Sequence, residues 1–141
     1  MSKAKKYSIL ALIGGIIYGA IELICRGYTH WTMVLLGGLC FVAVGLLNEV
    51  IPWKMPLTVQ MLCGCLIITV LEFACGCIVN IALGWNVWDY SDEWGNLIGQ
   101  ICPKYSVLWY FISLAAILLD DWLRYWFFGE EKPHYNFKLR G

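Results

Sequence analysis

The sequence predicts an all-α integral membrane protein, a bundle of four transmembrane helices in a single domain over residues 1–141. Apolar residues make up 60% of the chain and charged residues only 14%, and the mean hydropathy is +0.67. These values lie outside the usual range of soluble globular domains. Four apolar stretches have close to, or more than, the ~20 residues that a helix needs to cross a bilayer. They span residues 7–25, 31–51, 56–84 and 104–128.

The distribution of positive charge predicts the orientation. With four spans, eight of the ten Lys and Arg residues fall on one side of the membrane, and excess positive charge marks the cytoplasmic side. We therefore expect both termini in the cytoplasm and the protein in the inner (cytoplasmic) membrane of the cell. The formal net charge of zero gives no field that would attract nucleic acid. The eight residues are Lys3, Lys5, Lys6, Lys54, Arg124, Lys132, Lys138 and Arg140.

The first span carries a helix-contact motif and a predicted ion pair. Gly15 and Gly19 have the small-residue spacing that lets two membrane helices approach closely. Glu22 and Arg26 are four residues apart, in the order that favours an ion pair along a helix. A cleaved signal peptide is the alternative, because a basic start precedes an apolar run. The length of that run, and the two charges that close it, favour an uncleaved anchor.

The third span carries a polar stripe. At 100° per residue, five of its small and polar residues fall within about 80° of one another. Such a stripe either holds membrane helices together or lines a polar pathway, and the spacing leaves both interpretations open. The five residues are Cys65, Thr69, Glu72, Gly76 and Asn80.

The second and fourth spans also carry small and polar residues on one face each. In the fourth span, Asp120 and Arg124 repeat the acid-then-arginine spacing of the first, which predicts a second ion pair. A shift of 50 residues aligns Glu22 with Glu72, so a duplicated two-helix hairpin is an alternative origin of the fold. The two faces comprise Gly38, Gly45 and Glu49, and Ser106, Ser113, Asp120 and Arg124.

The seven cysteines predict neither a metal site nor a cofactor. The two Cys-Gly-Cys triplets at 63–65 and 75–77 place their thiols two residues apart, on opposite faces of a helix. In apolar spans a thiol acts as a small hydrophobic group. Cys25 and Cys102 both lie near the predicted outer surface, so a disulfide between them is an alternative.

The outer loop, 85–103, is predicted to lie on the outer surface or to dip back into the bundle. A loop of this length is usually functional or disordered, and its tryptophans argue against disorder. Asp89 and Ser91 are typical turn and cap residues, whereas Asn96 and Gly99 suit a tight backbone. Asp89, Asp92 and Glu93 form an outward acidic patch. The charged tail, 129–141, is predicted to be a solvated cytoplasmic end.

The loop and the two spans beside it resemble the CmpB-like family of ABC-transporter type IV permeases. The resemblance is close over about residues 70–110 and implies a permease. Two positions depart from the family pattern, because Trp94 stands where a Pro is usual and Gln100 where an Arg is usual. The matching residues are Leu71-Glu72-Phe73, Gly76, Trp88-Asp89-Tyr90-Ser91-Asp92, Asn96, Gly99, Ile101-Cys102, Tyr105-Ser106 and Trp109.

Enzymatic motifs do not occur in the sequence. No Gly precedes a Lys, so the phosphate-binding P-loop is missing. The H-E-x-x-H and G-x-S-x-G motifs are missing too, and His30 and His134 are predicted on opposite sides of the membrane. We therefore expect no enzyme, and any coupling to ATP must come from a separate subunit. An intramembrane enzyme built on paired acids is a third and weaker alternative.

The predicted function is a small transporter permease, or a permease subunit, of unknown substrate. Its candidate pathway residues are Glu22, Glu72, Arg26, Asn80 and Thr69. If the two glutamates face one cavity, they could share a proton, but the sequence leaves open whether they do. Four spans make a thin wall for a pore, so we expect a homo-oligomer or a complex with a separate membrane or ATP-binding subunit, within membrane lipid.

The alternative function is a non-transporting membrane scaffold or regulator. It would bind a membrane partner through the aromatic residues of the outer loop, in particular Trp88, Tyr90 and Trp94. This alternative predicts that changes in the loop disrupt the partner complex while changes at the carboxylates matter little.

Overall fold

The chain folds into four main helices. The computed structural model describes residues 2–50, 55–133 and 135, and only the backbone of Cys25, Arg26 and Asn48. Within these residues there is no strand, and one isolated bridge joins Leu97 to Ile101. The helices are α1 (Lys3–Arg26), α2 (Trp31–Gly45), α3 (Leu57–Gly76, continued as a π-helix over Cys77–Ala82) and α4 (Pro103–Phe128), with a short helix Leu47–Val50 after α2.

Local signals set the ends of the longest helices. Ser2 caps α1, because its hydroxyl oxygen accepts a hydrogen bond from the Lys5 N–H at 3.2 Å. Gly27, with φ of 79°, ends α1 in the left-handed conformation that glycine adopts most easily. Pro103 opens α4, where its missing N–H costs nothing. Gly129, with φ of 67°, ends α4 in the same way as Gly27.

The all-helical membrane fold is confirmed. Three helical segments are long and apolar enough to cross a membrane: Lys3–Ile24, Leu57–Ala82 and Pro103–Phe128. The helix α2 has only 15 residues, about 22 Å at 1.5 Å per residue, so it is shorter than the predicted span over 31–51. The backbone of Leu46 is still helical, with φ of −62° and ψ of −20°, and the short helix follows it.

Close contact between α1 and α2 explains the glycine motif. A Cβ atom at Gly15 would lie 2.8 Å from the carbonyl oxygen of Val34, and one at Gly38 would lie 2.6 Å from that of Ala11. Any larger residue would therefore push the two backbones apart. The predicted role of the Gly15 and Gly19 spacing as a helix-contact motif is confirmed.

The core lies where α2 meets the pair formed by α3 and α4. Buried side chains from all three helices meet there, among them Val44, Ile68 and Ile117. Many large apolar side chains are exposed on the surface of the bundle, as expected of a surface that faces lipid tails. The helices pack as two hairpins, α1 with α2 and α3 with α4. That one hairpin arose by duplication of the other stays a prediction.

The bundle has two different ends. At the loop end, the segment 83–102 joins α3 to α4, and five of its residues adopt positive φ: Gly84, Asn86, Gly95, Ile98 and Gly99. At the termini end, the first turn of α1 and the last turn of α4 meet, since Lys6 forms an ion pair with Glu130.

Candidate functional site

The loop is anchored to the π-helical end of α3. Asn80 accepts a hydrogen bond from the Val87 N–H at 2.7 Å and donates one to the Gln100 side-chain oxygen at 2.8 Å. The Trp88 indole N–H donates to the Gln100 carbonyl oxygen at 3.1 Å. Trp88 is only 5% exposed, so the loop dips back into the bundle, which was one of the two predicted arrangements.

Polar side chains fold the loop on itself. The Asp89 carboxylate accepts hydrogen bonds from the Ser91 hydroxyl and from the Ser91 N–H, and these bonds hold the pKa of Asp89 below its usual value. Asn96 donates to the Glu93 carbonyl oxygen at 2.9 Å and accepts from the Gly99 N–H at 2.9 Å. Gly99 has φ of 74°. The predicted turn at Asp89 and tight backbone at Gly99 are confirmed.

Glu72 lies beneath this loop and is 4% exposed. One carboxylate oxygen accepts a hydrogen bond from the Trp109 indole N–H at 3.1 Å, and the other accepts from the Tyr90 hydroxyl at 2.9 Å. Burial, and then the negative charge of Glu72, raises the pKa of Tyr90 far above its usual value. Tyr90 therefore stays protonated and donates. Its ring stacks on Tyr105 with centroids 4.7 Å apart.

Two neighbouring cavities lie between the helices, and Glu72 lines the smaller of them. The larger, here called the loop-end cavity, has a volume of about 580 Å³ and is lined by Glu22 and by residues of the loop. The smaller, here called the inner cavity, has about 130 Å³, is apolar and reaches Glu72. Tyr18, Met33 and Trp109 line both cavities. Glu22 and Glu72 thus face adjoining spaces, and these shared side chains lie along the boundary.

The other predicted pathway residues have different surroundings. The Thr69 hydroxyl is hydrogen-bonded to the Ser106 hydroxyl at 3.2 Å, and the Cys65 thiol donates to the Ser106 carbonyl oxygen at 3.0 Å. The polar stripe of α3 therefore faces α4 and the loop, and Thr69 and Asn80 hold these elements together. The side chain of Arg26, and with it the predicted pair with Glu22, lies outside the described residues.

A charged cluster at the termini end was only partly predicted. Arg124 is 1% exposed, and its Nε donates to Asp120 at 2.8 Å, which confirms the predicted pair. The guanidinium also donates to the Gly45 carbonyl oxygen at 3.2 Å and lies 3.5 Å from Glu49 and 3.6 Å from Glu130. Helical spacing found the partner on the same helix, whereas the others come from elements distant in sequence.

The start of the C-terminal tail packs against the bundle. Glu130 contacts Arg124 and Lys6, and the Tyr135 hydroxyl donates to the Asp121 carboxylate at 3.0 Å. For these residues the predicted solvated end is wrong, because buried charges on α4 provide partners for them. The prediction for His134 and for 136–141 lies outside the described residues.

The described residues include neither a metal-binding group nor a disulfide at Cys102. Among these residues, no group of three His, Cys, Asp or Glu side chains is placed to hold a metal ion. Cys102 is buried and its thiol is free, so it does not form the disulfide with Cys25 that was the alternative prediction.

Apolar helices of membrane-spanning length, packed around buried carboxylates, define the class of the chain as a polytopic helical membrane protein. A family model described as "Putative ABC-transporter type IV" matches residues 6–124, and the chain belongs to this family. The match runs from α1 into α4, well beyond the stretch that carries the resemblance in sequence. No curated protein and no solved structure matches the chain.

Proposed function

We propose that this protein is a membrane permease, or the membrane subunit of a permease complex, and that its substrate passes the loop-end cavity and Glu72. The burial of Glu72 between α3, α4 and the loop is the observation that carries this proposal. Ionisable groups inside a membrane protein are costly and usually mark a substrate or ion pathway. Family membership supports the same class of function.

The two donors on Glu72 come from different elements. Trp109 belongs to α4, whereas Tyr90 belongs to the loop, so a movement of the loop removes one donor and leaves the other. A carboxylate that loses a hydrogen bond gains a free acceptor for a passing substrate or proton. This arrangement suits a pathway whose binding group is covered at rest and exposed on opening.

The environment of the protein follows from the same proposal. The excess of cationic residues at the termini end supports a cytoplasmic location of both termini, with the loop on the outer side of the inner membrane. The chain is not an enzyme in this proposal, and a separate ATP-binding subunit or a second copy of the chain completes the transporter.

The experiment compares variants in cells that lack their own copy of the protein. Glu72→Gln and Glu22→Gln should abolish the uptake or efflux phenotype that the wild-type protein restores, at unchanged abundance in the membrane. Asp92→Asn is the matched control, because Asp92 is an exposed loop carboxylate outside the lining of both cavities. Full activity of both glutamate variants would show that these residues contribute to packing and not to transport.

A membrane scaffold or regulator is the second candidate, and the exposure of Trp94 favours it. Trp94 is 85% exposed on the loop, where an aromatic side chain suits a protein interface. The other two predicted contact residues are less available to a partner, since Trp88 is buried and the Tyr90 hydroxyl is hydrogen-bonded to Glu72. This candidate predicts that Trp94→Ala disrupts co-purification with a membrane partner, while Glu72→Gln leaves the complex intact.

A further inference from the structure

We propose that the loop-end cavity binds an organic cation, a compact ammonium group that carries apolar substituents. The inference rests on the proposed function and adds the substrate class to it. Three features of the cavity carry it: the sign of the charge along its lining, the aromatic rings beside that charge, and its size.

The charged side chains that line the cavity are acidic. Glu22 lies on α1, and Asp89 and Glu93 lie on the loop, so carboxylates approach the space from two sides. No Lys, Arg or His occurs among the described residues of the lining. Among the described side chains Lys104 is a cation near this lining, but it is 68% exposed and its nitrogen lies 3.8 Å from Glu93. Such an exposed pair is weak, so a cationic ligand can displace it.

Aromatic rings make up much of the remaining lining. Tyr18, Tyr28, Tyr90, Tyr105, Trp88 and Trp109 all border the cavity. A cation attracted to the negative face of such rings gains about 0.5–2 kcal/mol when it is partly desolvated. Rings also contact the apolar substituents of an organic ammonium, which a hydrated inorganic ion lacks.

The size and spacing of the groups favour an organic ligand over a metal ion. A volume of about 580 Å³ lies in the range of small-molecule sites. A divalent metal ion needs several oxygen ligands at ~2.0–2.6 Å, and no group of three suitable side chains is so placed within the described residues. The acidic lining would repel an anion.

The experiment measures binding to the full-length protein in lipid nanodiscs by isothermal titration calorimetry. Phenyltrimethylammonium is the probe, phenylacetate is the anionic control of similar size, and empty nanodiscs measure partition into lipid. We expect saturable binding of the cation, at least about tenfold tighter than that of the anion, because the two differ in the sign of their interaction with the lining. Equal binding of both probes, or no saturable binding of the cation, would overturn the inference.

Two variants localise the site. Glu22→Gln removes the buried carboxylate and should weaken cation binding about tenfold, which corresponds to one lost charge contact. Glu93→Gln removes a half-buried loop carboxylate with little risk to folding and should weaken binding by about threefold. Asp92→Asn, outside the lining, should bind as wild type. Wild-type affinity in both glutamine variants would show that the cation binds elsewhere.

The two proposals fail in different ways. If the cation does not bind but the phenotype still depends on Glu72, the substrate class is wrong and the permease stands. If the cation binds as expected but Glu72→Gln leaves the phenotype unchanged, the cation site stands and the permease pathway through Glu72 is wrong.

Discussion

At the scale of single residues, Glu72 is held by two donors that lie far from it in sequence. Tyr90 is 18 positions away and Trp109 is 37. The sequence predicted Glu72 as an important residue because a carboxylate in an apolar stretch requires a partner. It did not predict the partners, since helical spacing relates only residues within one or two turns of each other.

Removing the Tyr90 hydroxyl tests this arrangement. Tyr90→Phe should destabilise the protein by about 1–3 kcal/mol, because a buried acceptor that loses its donor costs about that much. Thermal unfolding in detergent measures the effect. Tyr105→Phe is the matched control, since the Tyr105 ring stacks on Tyr90 and no hydrogen bond of its hydroxyl is found among the described residues. Equal stability of the Tyr90→Phe and Tyr105→Phe proteins would argue against the bond to Glu72.

Arg124 is expected to have a large effect on stability. Its replacement by Gln leaves Asp120, which is 0% exposed, without its ionic partner. Breaking a buried pair from one side costs about 3–5 kcal/mol, so Arg124→Gln should unfold at a much lower temperature or fail to accumulate in the membrane. Lys132→Gln, an exposed cation of the same end, should unfold like the wild type. A small effect of Arg124→Gln would mean that the cluster is solvated.

At the scale of elements, the loop depends on the end of α3. The π-helical turn over Cys77–Ala82 contains Asn80. Its side chain accepts a hydrogen bond from the N–H of Val87 and donates one to the side-chain oxygen of Gln100. Single π-helical turns often occur at functional sites. The hydrogen bonds of Asn80 therefore link the folding of the loop to the integrity of α3.

Loss of Asn80 should release the loop without unfolding the bundle. In Asn80→Ala we expect faster amide hydrogen exchange across 84–102, because three hydrogen bonds between Asn80 and the loop disappear. Exchange in α1 and α4 should be nearly unchanged. Thr69→Ala is the control, since the Thr69 hydroxyl is hydrogen-bonded to Ser106 of α4 rather than to a residue of the loop. Unchanged exchange in the loop would show that Trp88 and Gln100 hold it without Asn80.

The ends of most helices were predictable because local chemistry sets them. The stretches predicted over 56–84 and 104–128 agree with α3 and α4 to within a few residues, since Pro56, Pro103 and Gly129 mark boundaries by themselves. The helix α2 was predicted too long. Its apolar pattern continues through Leu46 and Leu47, and the turn there serves tertiary contacts, in which Gly45 lies against Asp120 of α4.

At the scale of the whole molecule, the two ends of the bundle differ in access. The loop end contains the loop-end cavity, which is lined by Glu22 and by the loop, whereas ion pairs among α1, α4 and the tail close the termini end. A transporter that is open on one side and closed on the other has this asymmetry. In the proposed permease, the loop-end cavity is therefore expected to be reached from the outer side of the membrane alone.

Cysteine labelling from each side of the membrane tests that claim most directly. Met33→Cys places a thiol between the two cavities, and Leu62→Cys places one on the lipid-facing surface of α3, outside both linings. A cationic, membrane-impermeant methanethiosulfonate reagent is added to right-side-out or to inverted vesicles, and mass spectrometry measures modification at each position. We predict modification of residue 33 only from the outer side and none of residue 62. Modification of residue 33 from the cytoplasmic side, whether alone or together with the outer side, or from neither side, would contradict this expectation.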